Sequence, residues 1–238
     1  PDSGTVRLFG QDPFACAALQ ARVGYLPGET SFPSDMTGGQ FIRFLAQYRG
    51  LRSLARAKQL AEYFELDTGA KLKKMSKGTK QKVAIVCAFM HDPQLYVLDE
   101  PTSGLDPLMQ SRFVELLQEE QKKGKTILLS SHMFEEVEKT CTRTAIIRAG
   151  HIAAVKDMQA LSHSKRKYFT VRFETPAMAA QFAAEFAGAG AQGAYVTLPV
   201  AASQADAVIK RLAAYKVEDL SVRAQTLEEL FMHFYGGE

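Results

Sequence analysis

The run Leu95-Tyr96-Val97-Leu98-Asp99-Glu100-Pro101-Thr102-Ser103-Gly104-Leu105-Asp106-Pro107 joins a short apolar stretch to two adjacent carboxylates and a tight polar turn. A short apolar run bounded by turn signals reads as a buried strand. Such a strand delivers its last side chains to the rim of a sheet with little positional freedom, and open α/β sheets bind ligands outside the carboxyl ends of their strands. Asp99 and Glu100 therefore stand where metal-assisted phosphate chemistry is placed. Two neighbouring acids can divide that work, one holding a hydrated Mg²⁺ and the other orienting or deprotonating a water. A bare Asp-Glu pair is equally the solvated end of a strand, so the neighbours decide.

Upstream, Met75-Ser76-Lys77-Gly78-Thr79-Lys80-Gln81-Lys82 opens the apolar helical run Val83 to Met90. Ser and Gly at a helix start offer a hydroxyl and free backbone N–H groups to an anion, and the helix dipole adds to the attraction. Downstream, Thr126 to Ser131 reads as a second buried strand, with His132 just past its end and the acidic helix start Phe134-Glu135-Glu136 behind it. Alone, these are an ordinary helix cap and a structural histidine. In this order, the Ser-x-Gly helix, the Asp-Glu strand, the Ser-Gly-Leu-Asp turn and the strand-His element resemble the ATP-binding cassette (ABC) ATPase family, from Pro1 to about Val155.

The resemblance implies an α/β fold, a P-loop NTPase core of ABC type with a helical subdomain, and a role for each matching residue. Asp99 matches the acid that holds the Mg²⁺ water shell, and Glu100 the general base for the attacking water. His132 matches the switch histidine that hydrogen-bonds the γ-phosphate. Ser103-Gly104-Leu105-Asp106 matches the loop linking two ATP sites, with Asp106 meeting the partner subunit. Ser76, Lys77 and Gly78 fall in the signature segment that closes over ATP bound to the opposite subunit; Lys77, Thr79 and Lys80 depart from its commonest Leu-Ser-Gly-Gly-Gln form. The implied cofactors are ATP and Mg²⁺, in a homodimer or heterodimer that ATP closes and hydrolysis releases.

Two departures matter more. In the family, a strand like Val23-Gly24-Tyr25-Leu26-Pro27 leads to a Gln that touches Mg²⁺ and water, but position 28 here is Gly. Neither nearby polar residue takes the role: Glu29 would add negative charge beside phosphate oxygens, and Gln40 sits at a helix start. The second departure is that Pro1 to Gly10 resembles the segment following the phosphate-binding loop, and the loop itself has no match in the 238 residues. Gly124-Lys125-Thr126 ends like G-x-x-x-x-G-K-[ST], yet the pattern's first glycine falls at Glu119 and the order is helix then strand. Truncation is the expected reason, because Glu100 and His132 serve a bound γ-phosphate.

Charge and cysteine usage narrow the class. A net charge of +3 without a basic tail gives no case for a nucleic-acid partner. Cys16, Cys87 and Cys141 are an odd number without metal-like spacing, as suits a reducing compartment. No apolar stretch reaches the roughly 18 to 20 residues that span a bilayer, so membrane contact would come through a partner. The expected location is cytoplasmic, on the inner face of the membrane through a permease subunit.

The expected organisation is an ATPase domain over 1–158, with a helical subdomain over about 34–92, and an α/β accessory domain over 159–238. Pro1 to Phe32 reads as strand-rich. Thr37-Gly38-Gly39-Gln40 fits a capping box ahead of Phe41, Phe44, Leu45 and Tyr48 on one helical face, and Leu54, Ala57, Leu60, Ala61 and Phe64 form a second face. Exposed members among Phe32, Met36, Phe41 and Tyr48 are candidates for permease contact. A hairpin from Ala145 to Val155 turns at Gly150, and Ser162 to Lys167 reads as polar linker. Strand, helix, strand, helix and strand follow, then an amphipathic tail helix from Thr226 to Tyr235 whose pattern resembles the end of exporter ABC subunits.

The reading is an ABC-type ATPase subunit that energises a separate permease, for export. Its rival is a non-hydrolysing regulatory or interaction protein on a degenerate ABC scaffold. ABC ATPases of translation or DNA repair are disfavoured, since they carry tandem cassettes or long coiled-coil insertions. Because a phosphate loop provides most contacts to the β- and γ-phosphates, residues 1–238 alone are expected neither to bind Mg²⁺-ATP at micromolar concentration nor to dimerise on it. Calorimetric titration with ATP checks this, and micromolar binding would refute it.

Overall fold

Strands β1 (Val23–Leu26), β2 (Leu95–Asp99) and β3 (Thr126–Ser130) pair in parallel, in the order β1-β2-β3, in a computed structural model that describes residues 3–14, 16–164 and 166–235. Parallel neighbours need crossover connections. The first is supplied by helices α2 (Gly38–Tyr48), α3 (Ala55–Tyr63) and α4 (Lys77–Phe89), the second by α5 (Pro107–Lys122). Helix α4 lies so close to β1 that a Cβ at Gly24 would fall 2.4 Å from the Ala88 carbonyl oxygen. Tyr96 and Leu98 of β2 are fully buried, and the Tyr96 ring stacks on Phe89 of α4 at 4.3 Å between centroids. On the opposite face, Tyr25, Val97 and Leu128 stand in one row across the sheet, with Tyr25 and Leu128 exposed.

Several expectations change on the way to this core. The strand-rich reading of Pro1 to Phe32 fails: among its described residues there is β1, one isolated bridge between Leu8 and Gln11, and a short helix, α1 (Ala17–Gln20). The left-handed pair Phe9 and Gly10 (φ 52° and 79°) forms the turn between the two bridge partners, and the pairing goes no further. The capping box is present, with Thr37 accepting from the Gln40 N–H and the Gln40 side chain accepting from the Thr37 N–H. The buried face of α2, however, runs through Gly38, Ile42 and Ala46, while Phe44 and Tyr48 are exposed. Small residues win that face because α2 packs tightly: a Cβ at Gly38 would meet Met75 at 3.1 Å and Val83 at 3.4 Å. The second face holds, with Ala57, Leu60, Ala61 and Phe64 buried.

Helix α6 (Phe134–Thr140) ends the first of two compact units, Pro1–Thr140 and Cys141–Glu238. The second unit opens with the expected hairpin, β4 (Arg143–Arg148) and β5 (His151–Asp157), turned by Ala149 and Gly150 at φ 49° and 78°. Helix α7 (Met158–Ser164) occupies the first part of the stretch read as linker; Lys165 of that stretch lies outside the described residues. Then come β6 (Lys167–Phe173), α8 (Pro176–Ala183), β7 (Gly190–Gln192), β8 (Tyr195–Val200), α9 (Ala205–Leu212), β9 (Val217–Ala224) and α10 (Leu227–Tyr235). The four strands β6 to β9 form an antiparallel sheet in the order β7-β8-β6-β9, the split β-α-β-β-α-β arrangement of ferredoxin-like folds. Its core gathers Phe169, Val171, Phe173, Phe182, Val196 and Leu198.

A buried charge fixes β2 from behind. Glu120 of α5 is fully buried, and its carboxylate accepts from Tyr96 Oη, Arg56 Nη2 and Lys123 Nζ, each at 2.8 Å. Burial alone would raise this carboxyl's pKa; the three donors outweigh burial and hold it below the usual range. A group whose folded pKa is lowered stabilises the fold above its unfolded value, and that contribution is lost as pH falls through the folded value. Removing one partner of a buried pair is costly. Glu120→Ala is therefore expected to lower unfolding free energy by about 3 kcal/mol, and Tyr96→Phe by about 1 kcal/mol, measured by urea denaturation near neutral pH. The gap between Glu120→Ala and the parent should narrow on acidification.

Candidate functional site

The register of the parallel sheet brings the two motif-bearing strand ends together. Asp99 lies opposite Ser130, whose hydroxyl donates to Asp99 Oδ1. The next residue, Glu100, has φ 44°, a left-handed conformation that side-chain-bearing residues rarely adopt and that costs roughly 1 to 3 kcal/mol. Its N–H turns back to Ser130, 3.1 Å from the carbonyl oxygen and 3.2 Å from the hydroxyl. This kink takes Glu100 out of the strand's line and sets Oε2 against His132 Nδ1 at 2.6 Å. His132 is largely exposed and Glu100 about one third exposed. A surface pair of this kind adds little stability, so its interest is chemical: a carboxylate held in one orientation at a strand end beside a group that can carry a proton.

The signature-like segment forms the start of α4. Ser76 is its N-cap, accepting from the Thr79 N–H at 3.1 Å. Gly78 is pressed against the following turn: a Cβ there would fall 2.3 Å from the Gly104 carbonyl oxygen. Gly104 itself has φ 81°, and Lys77 Nζ donates to Ser103 Oγ at 2.9 Å. The helix start and the Ser103 to Asp106 turn are thus one packed body. Asp106 caps α5, its Oδ1 accepting from the Met109 N–H at 3.0 Å, with Pro107 in the first turn. Among the described residues, Ser76 and Gly78 make no hydrogen bond to Asp99, Glu100 or His132.

Gly28 has a through-space cause. A Cβ at that position would lie 2.9 Å from Asp99 Oδ2, so any side chain must displace the carboxylate. Gln40 is committed to the α2 capping box, and Glu29 is exposed. The Gly124-Lys125-Thr126 stretch is a turn between α5 and β3, with Gly124 at φ 79° and Lys125 paired to Asp92 at 3.1 Å.

Two residues that sequence reasoning left without a role join the site. Gln81, buried on α4, donates from Nε2 to the Pro101 carbonyl at 2.7 Å and lies 3.4 Å from the Glu100 carbonyl, tying the helix to the strand end. A polar residue just ahead of the apolar run was its one signal. Glu136, buried on α6, accepts from Ser131 Oγ at 2.6 Å and Thr102 Oγ1 at 3.3 Å, while its Oε1 is buried without a hydrogen-bond partner. Burial, with the nearby Glu100 charge, pushes its pKa above the ordinary value. An acid raised in the folded state destabilises the fold as it ionises, so stability falls as pH rises through the folded pKa. Glu136→Ala, which removes the acceptor of the buried Thr102 hydroxyl and the half-buried Ser131 hydroxyl, is expected to lower unfolding free energy by about 1 to 3 kcal/mol. Glu136→Gln should lose less and flatten the fall of stability with rising pH that begins above the ordinary carboxylate value, read by urea denaturation across pH.

Known proteins share this layout. A family model described as "AAA domain, putative AbiEii toxin, Type IV TA system" matches residues 42–135. The chain is 33% identical over 156 residues to the Nod factor export ATP-binding protein I of Paraburkholderia xenovorans, covering 63% of this chain and 51% of that protein. It is 33% identical over 172 residues to the bacitracin transport ATP-binding protein BcrA of Enterococcus faecalis, covering 71% and 56%. The chain thus spans about half the length of these curated relatives. A solved dimeric ATP-binding cassette, bound to ADP and Pi in a post-hydrolysis state, shares the fold at TM-score 0.55 and 18% identity, over 62% of this chain and 68% of that one. A solved ATP-binding subunit of an ABC transporter matches with TM-score 0.60 and 31% identity over 68% of this chain and 70% of that one. With the strand-end acids, the Ser-x-Gly helix start and the His132 element set in the expected order around one parallel sheet, the chain belongs to the ATP-binding cassette family, among the ATP-binding subunits of ABC transporters.

Proposed function

We propose that this protein binds and hydrolyses ATP to energise a separate membrane permease, for export, with Glu100 as general base and His132 as its partner at the γ-phosphate. The observation that carries the reading is the left-handed Glu100, oriented at a strand end with Oε2 2.6 Å from His132 Nδ1. A general base must lie within hydrogen-bond reach of the proton it takes, and a fixed carboxylate satisfies that at low entropic cost. His132, with its ring exposed, can exchange Glu100 for a phosphate oxygen. Ser76, Lys77 and Gly78 present a helix start to nucleotide held by a second subunit, and Asp106 closes the same turn.

Asp99 fits a role toward Mg²⁺. Its Oδ1 is occupied by Ser130, and the absent side chain at Gly28 leaves room beside Oδ2. Among the described residues no group of three or more His, Cys, Asp or Glu side chains could hold a metal alone. Mg²⁺ keeps several waters and is bound through one or two carboxylates plus substrate phosphates, and Asp99 offers one such carboxylate. When bound, the ion supplies charge neutralisation of the phosphates. Asp99 would orient one of its waters, and Ser130 would hold Asp99.

The permease partner is proposed for the helical subdomain, where α2 and α3 flank a cleft of about 450 Å³ lined by Ile42, Leu54, Ala57 and Ala61. Of the four residues expected near this contact, Tyr48 is exposed, while Phe32, Met36 and Phe41 pack partly into the core; Phe44 joins Tyr48 on the outer face. No helix among the described residues is long and apolar enough to cross a membrane, so a place at the cytoplasmic face would rest on that partner. The printed name of the Nod factor export relative supports the direction of transport.

Glu100→Gln keeps size and shape and removes the base. In the full-length gene product it is expected to lower the ATP hydrolysis rate by about 10² to 10⁴ while ATP binding persists and the closed dimer accumulates. Near-normal hydrolysis by this variant would remove Glu100 from the role. A wild-type product that binds ATP without hydrolysing it would favour the regulatory alternative.

A further inference from the structure

The two edges of the C-terminal sheet are unequal. The β7 edge is blunted by its length, three residues, whereas β9 at the other edge runs for eight, and Glu218 to Ala224 are all exposed. Among the described residues no strand pairs with the outer side of β9. A long free edge is a template for another chain unless Pro, Lys, a bulge or a cover blunts it. The strand Val217-Glu218-Asp219-Leu220-Ser221-Val222-Arg223-Ala224 contains neither Pro nor Lys, and its one irregularity, at Glu218, lies at its start and leaves Asp219 to Ala224 in regular register with β6.

The strand is also complementary to itself. Leu220 and Val222 lie opposite Val171 and Phe169 of β6, on the helix-bearing face, yet remain 43% and 49% exposed. Asp219 and Arg223, opposite Arg172 and Tyr168, share the other face. In an antiparallel pair related by a two-fold axis perpendicular to the sheet, paired residues share a face, so the axis must pass through a residue. Placed at Ser221, it sets Leu220 against the partner's Val222 and Asp219 against the partner's Arg223, each twice; Arg223 also holds Glu229 of its own chain at 2.8 and 2.9 Å, so the Asp219 contact uses its remaining charge and Nε. Placed at Leu220, it sets Glu218 against the partner's Val222. Placed at Val222, it sets Ser221 against the partner's Arg223. Backbone polarity permits the pairing, since the Gln225 N–H donates to the Arg166 carbonyl at 2.8 Å and by alternation the N–H groups of Leu220, Val222 and Ala224 point outward; the side-chain pairs select the Ser221 axis.

We propose that β9 pairs antiparallel with β9 of a second copy of this chain about a two-fold axis at Ser221, joining two four-stranded sheets into one. Opposite-charge and apolar cross-strand pairs are the units that stabilise such an edge. The pairing uses residues of β9 alone and none of the residues proposed for ATP chemistry, so it forms without nucleotide. That separates it from dimerisation driven by ATP.

Ser221 would face its own copy at a non-hydrogen-bonded position, where Cα atoms stand about 4.5 Å apart, within disulfide range. Ser221→Cys is made in a chain with Cys16 and Cys141 changed to Ser. Cys87 stays, since it is buried and its thiol is pushed up to about 12. Mild oxidation without nucleotide should convert most of this protein to a covalent dimer, whereas Asp206→Cys on exposed α9 should give a trace. Adding Val222→Pro, which removes an outward N–H that β6 does not use, should abolish the crosslink with circular dichroism unchanged. If that variant misfolds, Asp219→Lys decides, because it opposes two like charges and should weaken the nucleotide-free dimer about tenfold in sedimentation. Ser221→Cys crosslinking no faster than Asp206→Cys, a wild-type chain monomeric at about 100 μM, or an Asp219→Lys dimer as tight as wild type would each overturn the proposal.

Discussion

A carboxylate with no access to water can stay ionised only if donors surround it, and Glu120 meets that condition with one donor from β2, one from α3 and one from the residue that caps its own helix. The three elements can therefore pack in one relative placement. Tyr96, whose hydroxyl reaches Glu120, is held from its ring face by Phe89 of α4. Because Tyr96 and Asp99 lie on the same short strand, what locks one positions the other. The strand-end acids owe their fixed location to a charge cluster behind the sheet.

Rigidity continues into the turn that follows. Gly78 against the Gly104 carbonyl leaves no room for independent motion of the α4 start and the Ser103 to Asp106 turn. Gln81 adds a hydrogen bond from the same helix to the strand end. A displacement of α4 must move the backbone beside Glu100. Glu136 makes the complementary link on the other side, since Thr102 of the turn and Ser131 after β3 share its one hydrogen-bonded oxygen. An event sensed at the signature helix or at His132 thus has a short mechanical route to the base between them.

What was legible in the chain was local or strictly ordered. The Thr37 to Gln40 box, the Ser76 cap and the Ala149-Gly150 hairpin turn involve partners within a few positions, and residue type alone announces them. The buried face of α2 was misplaced because aromatic residues dominate a periodicity count, whereas close helix packing selects Gly38 and Ala46. Strand β7 is three residues long and contains a glycine, too short to show alternation. Gln81, Glu136 and the glycine at position 28 were opaque for a different reason. Their causes, the Pro101 carbonyl, the Thr102 hydroxyl and the Asp99 carboxylate, meet them only when separate stretches of chain pack together.

The parallel sheet also dictates an order of assembly. Arg22, next to β1, hydrogen-bonds Gln94, next to β2, across 72 positions of sequence, and among the described residues β1 pairs with β2 alone. Closing so long a loop is entropically unfavourable until the helices between are formed. Chain growth therefore makes α2, α3 and α4 before β1 can find its place, and β1 must slide its Gly24 beneath an α4 that is already present. Of these two paired strands, β1 precedes β2 in the chain yet is seated only once β2 exists. Until then the β2 edge that receives it stays open to other chains, and the nascent chain is most vulnerable to misassociation.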